Sequence, residues 1–504
     1  TVAILAQAIF RSSAIRSFPA SRPSQHLVHA PAMDFDDLDT CTGCRTYDII
    51  VLGVTGITGA LVAEHIDQLI HTGYTEKKWA ICGRNEDKLR KVKKNCKTQP
   101  DYIVVREDVQ TDYEYIAEMC SCVIATAGPY LLMGEKVVAA CVKQSTHYVD
   151  VTGELVYNRR LIDKYHEEAK EKGIMITVMM GFMCALTDFS HYKMQQTLGP
   201  LKWSKEFVFQ CAAVRGGGSF FSGFSQYEHM RTDEPPLLLD PYSLGGAREP
   251  VRDCDKDKIE EYKDELFENV WCSTGFIGHP GVRVVRRAAE LFKNSPDADE
   301  VNYGDEVVIS SCDAVLGKGQ ATLNAKMAKP PEDIKKIMSN AQAMEDGLMK
   351  GQAGRPGYGA PRETRKLSRS ESFVCAEGEN GEFAYANFNA GESYEFTAMA
   401  AVNAALVFCE EEDIVRPRER GGIVTPAFAV HGTSWEKKLS EQTWGMYGGI
   451  SPTWTVKKEK LSESLFVEHL KKVEAEGKEF SKKMMNGEWA TCELPELVTG
   501  RHLK

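Results

Sequence analysis

The chain lacks any long hydrophobic run. No uninterrupted apolar stretch approaches the ~18 residues of a membrane-spanning helix. It lacks an excess of positive charge: 61 Lys and Arg against 72 Asp and Glu leave a formal net charge of −11. That argues against a nucleic-acid partner held by bulk charge, although a local basic patch is compatible with it. The His residues are dispersed and no HExxH is present, so no metal site is expected. Cys41-Thr-Gly-Cys44 has no second pair at zinc-ribbon spacing and reads as part of a flexible lead-in. Internal repeats are absent. Acids are absent from residues 1–33, which carry Arg11, Arg16 and Arg22 among many Ser and Ala. Two readings of that segment stand side by side. It has the composition of an organellar transit peptide. Alternatively, the chain lacks a starting Met, and Met33-Asp34-Phe35-Asp36 resembles an ordinary cytosolic start after translated upstream sequence. On either reading residues 1–46 are a disordered lead-in outside the fold.

What is present is ordinary for a soluble globular protein: 43% hydrophobic and 26% charged residues over 504 positions. Such a length suggests about three domains at ~150 residues each. The fifteen Cys are scattered, several in predicted strands or helices (Cys82, Cys120, Cys122, Cys141, Cys211), and read as reduced and intracellular.

The chain is organised around Asp48-Ile49-Ile50-Val51-Leu52-Gly53-Val54-Thr55-Gly56-Ile57-Thr58-Gly59. Ile49 to Leu52 have the length and type of a buried parallel strand. Gly53, Gly56 and Gly59 follow at three-residue spacing, and Leu61, Val62, Ile66, Leu69 and Ile70 then recur at helical spacing. Strand, glycine turn and helix make the first unit of a dinucleotide-binding fold. The first glycine allows a tight turn, the next admits a pyrophosphate, and the last lets helix and strand pack closely. The helix N-terminus then offers N–H groups to phosphate. Thr55, Ile57 and Thr58 belong to the same predicted cradle.

Further strands are predicted at Trp79–Cys82, Ile103–Val105, Cys122–Ala125, His147–Val151 and Ile174–Met179, with helices between them at about 84–96, 135–144 and 158–172. Six strands alternating with helices imply a doubly wound parallel sheet of Rossmann type. Arg84 follows the second strand, where an acid would bind a ribose 2′-hydroxyl and an Arg suits a 2′-phosphate. NADP(H) is therefore expected over NAD(H). The third strand leads to Asp108, a candidate cofactor contact, and Thr126-Ala127-Gly128-Pro129-Tyr130 ends the fourth, with Ala127, Gly128 and Pro129 expected beside the nicotinamide ribose.

GVTGITG with the later CGR, ATAGPY, HYVDVTGE and KYHEEAKEKG resembles the saccharopine dehydrogenase-like oxidoreductase family, which includes the trans-acting enoyl reductases. The resemblance continues in Gly216-Gly217-Gly218-Ser219, Val282-Arg283-Val284-Val285-Arg286-Arg287 and Gly421-Gly422-Ile423-Val424-Thr425-Pro426-Ala427. It implies an α/β chain: an N-terminal NAD(P)-binding Rossmann domain (47–184), a second α+β substrate-type domain (185–397) and a C-terminal helical segment (398–504) packing back. One departure matters. Family members tend to read GFDSIPSDLG after the sixth strand. Here the Asp, Ser and Pro are Met183, Cys184 and Leu186, while Asp188 is kept. A pocket shaped by that turn would be more apolar.

In the second half, Val208 to Val214 suggests a strand leading into the loop from Arg215 to Ser219, read equally as a backbone loop near substrate or as a flexible turn. Arg283, Arg286 and Arg287 read more readily as a solvated helix face than as partners of an anionic substrate. Lys329-Pro330-Pro331-Glu332 opens a mostly polar helix. The basic stretch Gly351 to Ser372 reads as a disordered surface loop, with phosphate or anionic-lipid binding as the alternative. Strands are expected at Glu382–Asn387 and near Tyr394–Phe396, then a helix from Ala398 to Cys409. Lys457 to Met485 is expected as a helix packing through Leu461, Leu465, Phe466, Leu470 and Val473, with a membrane-lying helix as the alternative.

The only Tyr-x-x-x-Lys, Tyr74 to Lys78, precedes the second strand, which excludes the short-chain reductase pair. Candidate proton donors are Tyr130, His147, Tyr148 and Glu154, although Tyr148 also fits the core and Glu154 fits a cap on the helix that follows. Two functional classes result. One is an NAD(P)H-dependent oxidoreductase acting on a lipid or acyl-type substrate. The other is a nucleotide-binding, lipid-associated scaffold without turnover. Peripheral membrane or lipid-droplet association and an oligomer are compatible with both. The expected location is cytoplasmic or lipid-associated, or mitochondrial if residues 1–32 are a transit peptide.

Overall fold

The apolar runs at 49–52, 79–83 and 122–125 are buried on both faces, as a sheet covered on both sides requires. The computed structural model describes residues 45–211, 216, 218–219, 222–223, 226, 237, 240–328, 365, 368–442 and 451–485, except 249, 259, 275–277 and 416–417. The lead-in, the CxxC, the predicted helix after Lys329 and most of the basic stretch after Gly351 lie outside these residues.

The first half alternates without exception: β1 (Tyr47–Leu52), α1 (Ile57–His71), β2 (Trp79–Gly83), α2 (Glu86–Asn95), β3 (Asp101–Val104), α3 (Gln110–Met119), β4 (Cys120–Ala125), α4 (Tyr130–Lys143), β5 (His147–Asp150), α5 (Leu155–Glu171), β6 (Met175–Thr177) and α6 (Phe182–Leu198). A further strand, β13 (Gly422–Val424), comes from far downstream. Together these strands form a parallel sheet in the order β13-β6-β5-β4-β1-β2-β3. This is a doubly wound Rossmann sheet completed by a seventh strand.

A second, mixed sheet is built from β7 (Leu201–Cys211), β8 (Tyr262–Lys263), β9 (Trp271–Ser273), β10 (Val308–Val315), β11 (Arg369–Gly378), β12 (Phe383–Ala390) and β14 (Thr453–Lys457), with α7 (Gly278–Lys293) and α8 (Lys318–Ala328) between them. Its order is β14-β12-β11-β7-β10-β9-β8. α9 (Ser393–Glu410), α10 (Pro426–Val430), α11 (Trp435–Glu441) and α12 (Glu463–Met485) complete the described helices of five or more residues. α6 packs on β7, β11 and β12, whereas α9 packs on α1, β4 and β5. One hydrophobic cluster runs from Ile49 and Ala60 through Phe189 to Phe388 and joins the two sheets.

Four local expectations are corrected. Tyr394 to Phe396 are helical, because the Glu392 carboxylate accepts the Tyr394 and Glu395 N–H groups at 2.8 and 3.1 Å and starts α9 early. The predicted helix start at Lys457 is instead β14, paired with β12. In α12, Phe466 and Leu470 are buried on Phe207, Phe267 and Phe373, but Leu465 is exposed. The apolar face is thus occupied by protein. Finally, Arg283, Arg286 and Arg287 are buried, not solvated. Arg283 donates to Asp240 O and Asp257 Oδ2 at 2.9 and 2.8 Å, Arg286 to Pro241 O and Asp255 O at 2.8 and 3.0 Å, and Arg287 to Glu290 Oε2 at 2.6 Å. The five donors of a guanidinium satisfy carbonyls that a buried loop would otherwise orphan.

Candidate nucleotide site at the strand ends

The glycine turn closes on itself. Gly53 has φ +91, and a Cβ there would stand 2.9 Å from Ala127 N. A Cβ on Gly59 would stand 2.2 Å from Gly53 O. These two glycines are obligatory for the turn, so a Val at Gly53 would break the fold locally and could not report on ligand alone. Gly56 differs: a Cβ would make one ordinary contact, 3.5 Å to Gly53 O. The chain leaves room there, at the place where a pyrophosphate would approach. Thr55, Gly56 and Thr58 are half-buried at the tip, whereas Ile57 is buried beneath it. Thr126 ties the turn to the loop after β4, with its N–H and Oγ1 both 2.9 Å from Leu52 O. Ala127, Gly128 and Pro129, half-buried, therefore stand beside the glycine turn, and the Gly128–Pro129 peptide is cis.

The helix N-termini at this edge are not equivalent. In α4 the Glu154 carboxylate accepts Tyr130 N at 3.0 Å and Leu131 N at 2.7 Å. In α6, Phe182 N donates to Thr397 Oγ1 at 2.9 Å, and in α9 Glu392 is the cap. In α1 no side chain caps the first turn and no acidic residue lies in it. Its N–H groups and positive dipole end stay directed at the strand-end space, which suits a phosphate. The residues present fit a dinucleotide pyrophosphate.

Arg84, exposed at the end of β2, pairs with Glu107 beyond β3. Asp108 is almost fully exposed and lies 3.7 Å from Lys136 Nζ. Arg84 thus stands at the strand end expected of it, but with an acid in its grasp that its position along β2 does not reveal.

The four candidate proton donors lie inside the protein. Tyr130 is buried and donates to Ala125 O at 3.0 Å. His147 begins β5, at the opposite end of the strand from the glycine turn, and its Nδ1 accepts Met175 N at 3.0 Å. Tyr148 is fully buried and donates to Asp150 Oδ2 at 3.0 Å. Glu154 caps α4, the helix before it in sequence and not the one after. Burial pushes the Tyr130 and Tyr148 phenols well above their ordinary range. Asp150 joins this group. Burial pushes its carboxyl up to about 7, and its Oδ1 accepts Met179 N at 2.9 Å. Met179 has φ +65, a left-handed conformation uncommon for a non-glycine residue, and Asp150 holds it there.

The turn after β6 is only partly apolar wall. Cys184 and Leu186 are core residues, but Met183 is half-buried, and a Cβ on Gly153 would stand 2.4 Å from its Cε. Asp188 accepts Ala427 N at 2.7 Å and so ties α6 to the start of α10.

Residues 49–177 match the family described as saccharopine dehydrogenase NADP binding domain. The chain is 28% identical over 408 residues to a trans-acting enoyl reductase of Mycobacterium tuberculosis, covering 77% of this chain and 94% of that protein. It is 30% identical over 268 residues to a trans-acting enoyl reductase of Mycobacterium leprae, covering 49% and 62%. A solved saccharopine dehydrogenase (L-Glu forming) from Saccharomyces cerevisiae overlaps 82% of this chain and 100% of its own, at 12% identity and a TM-score of 0.44, too distant to bear on the site. Residues 49–177 are thus similar to the saccharopine dehydrogenase NADP binding domain, and the chain over most of its length is similar to the trans-acting enoyl reductases.

Proposed function

We propose that the protein is an NADP(H)-dependent oxidoreductase acting on a lipid or acyl-type substrate. The observation that carries this reading is the uncapped, acid-free N-terminus of α1 behind a turn that only Gly53 and Gly59 can close. Gly56, Ile57, Thr58 and Gly59 would receive the pyrophosphate, Arg84 the 2′-phosphate, and Ala127 to Pro129 the nicotinamide ribose. The bound dinucleotide would supply hydride; the protein supplies position, exclusion of water and a proton. The enoyl reductase relatives support an acyl substrate. Met183 supports an apolar wall, where each buried CH₂ contributes about 0.8 kcal/mol. A saccharopine-like dicarboxylate finds no partner in Arg283, Arg286 or Arg287, which are committed to carbonyls and to Asp257 and Glu290.

A second reading, a nucleotide-binding lipid-associated scaffold, draws support from one observation: the four proton donors expected from sequence are buried and engaged elsewhere. Titration of nicotinamide fluorescence with NADPH and NADH separates the possibilities at their root. NADPH should bind, and Gly56→Ala should weaken it at least tenfold with an unchanged melting temperature. Equal binding by wild type and Gly56→Ala would remove the phosphate assignment. If NADPH binds but enoyl thioesters do not oxidise it, and saccharopine-like amino acids do not reduce NADP+, the scaffold reading prevails.

A further inference from the structure

α9 crosses the face of the parallel sheet from end to end. Near its C-terminus, Cys409 Sγ lies 3.6 Å from Asp48 O at the start of β1, and Cys409 O accepts Lys77 Nζ at 2.9 Å. Near its N-terminus, Thr397 Oγ1 accepts the N–H of Phe182, which opens α6 just beyond β6. The helix therefore runs against the strands, and its first turn arrives at the edge that carries the glycine turn. Tyr394 stands one turn before Thr397.

The Tyr394 oxygen accepts the Gly216 N–H at 2.7 Å and lies 2.7 Å from Ser219 Oγ. Gly216 and Ser219 follow β7 of the second sheet. Three residues on, the same stretch meets the nucleotide domain: a Cβ on Gly128 would stand 3.3 Å from Ser222 Oγ. The Tyr394 hydroxyl thus belongs to a bridge between the substrate-type sheet and the loop expected at the nicotinamide ribose. Tyr394 is half-buried, Ser219 is exposed, and the Tyr394 backbone is pinned by Glu392 at 2.8 Å. A phenol held by its backbone, bonded to an amide and in touch with a solvent-facing hydroxyl has what a general acid needs.

We propose that Tyr394 is the proton donor of the reduction, with Ser219 returning a proton from water. This rests on the oxidoreductase reading above. For an α,β-unsaturated thioester, the β-carbon takes hydride from the reduced dinucleotide, which leaves oxidised. The α-carbon takes the Tyr394 phenolic proton. The C=C π bond is lost, two C–H bonds form, and the substrate gains two electrons. The Gly216 N–H stabilises the phenolate, which recovers its proton from water through Ser219.

The test uses the full chain, NADPH and trans-2-dodecenoyl N-acetylcysteamine. NADPH affinity is read by fluorescence, stability by melting, and NADPH oxidation by absorbance. Tyr394→Phe should lower kcat about 100-fold or more, the usual range for a general acid, with NADPH affinity, KM and melting temperature essentially unchanged. Because Phe leaves the Gly216 amide without its acceptor, 3-fluorotyrosine at position 394 provides the second measurement. It keeps the hydroxyl, makes it more acidic, and should move the alkaline limb of the kcat profile to lower pH. Wild-type kcat in Tyr394→Phe overturns the proposal. So does a parallel loss of NADPH affinity, melting temperature and kcat together with an unmoved pH profile in the fluorinated protein, which would make Tyr394 an anchor of the Gly216–Ser222 bridge. A wild type that binds NADPH but leaves the thioester unreduced overturns the enoyl reading and this proposal with it, an outcome distinct from both.

Discussion

Arg84 is already engaged before any ligand arrives, because Glu107 holds its guanidinium across the ends of β2 and β3. A 2′-phosphate would have to take Arg84 from that carboxylate and would itself be repelled by it. With the dinucleotide placed as proposed, Glu107 would weaken NADP(H) binding while Arg84 would strengthen it. Exposed ion pairs are worth up to about 1 kcal/mol, so Glu107→Gln should tighten NADPH by up to about fivefold. Arg84→Ala removes a charge-assisted bond worth about 1.5–3 kcal/mol and should weaken NADPH at least tenfold while leaving NADH nearly unchanged. Fluorescence titrations of both cofactors decide the matter. An NADPH affinity indifferent to both substitutions would take Arg84 out of the site. Position along a strand is enough to single out Arg84 from sequence. Its partner is hidden there, since Glu107 comes within reach only through the pairing of β2 with β3.

The elements legible in the sequence are those whose signal is local. β1 to β6 are apolar runs separated by helical periodicity, and the turn between β1 and α1 announces itself by glycine spacing. β13 is three residues, Gly-Ile-Val, too short for any period; it exists because β6 offers an edge and because His166 Nδ1 accepts Ile423 N at 3.1 Å. Tyr394 is hard to find in the sequence because an aromatic beside Glu395 and Phe396 reads as strand until the Glu392 cap and the Ala-rich run behind it are seen together. α12 shows the same limit on one helix. Periodicity sets Leu465 and Phe466 on a common face, yet adjacent residues point about 100° apart on a helix of 3.6 residues per turn. Phe466 fills the space between Phe207 and Phe267, with ring centroids 4.8 and 4.3 Å away. Phe466→Ala should cost about 3–5 kcal/mol, whereas Leu465→Ala should stay within about 0.5 kcal/mol. Denaturant unfolding of the two variants checks this; comparable losses would mean that α12 is seated differently.

Across the whole molecule, buried acids and buried histidines set opposing pH dependences. Burial pushes Asp150, Asp188 and Glu206 up to about 7. In the unfolded chain such acids titrate near about 4. The folded chain holds more protons between those values, so each acid withdraws stability as pH rises from about 4 to about 7, and no more above it. Burial lowers His65 and His166 to about 4 and His191 to about 3. Those residues withdraw stability as pH falls below about 6.5, and the two sets largely offset each other. Glu206→Gln separates them. Gln keeps an acceptor for Thr187 Oγ1 and Ser311 Oγ, now 2.7 and 3.0 Å from Glu206 Oε2, but no longer titrates. Its stability relative to wild type should rise between pH 5 and pH 8 by an amount on the order of 2 kcal/mol. A difference that stays constant over that range would show that Glu206 does not titrate there. The late arrival of β13 adds a matter of timing. While the chain is being synthesised, β6 has no outer neighbour until everything between Thr177 and Gly422 has left the ribosome. During that interval the backbone of Met175 to Thr177 is a bare sheet edge, of the kind that recruits strands from other chains. The nascent protein therefore carries this open edge from the synthesis of β6 until that of β13.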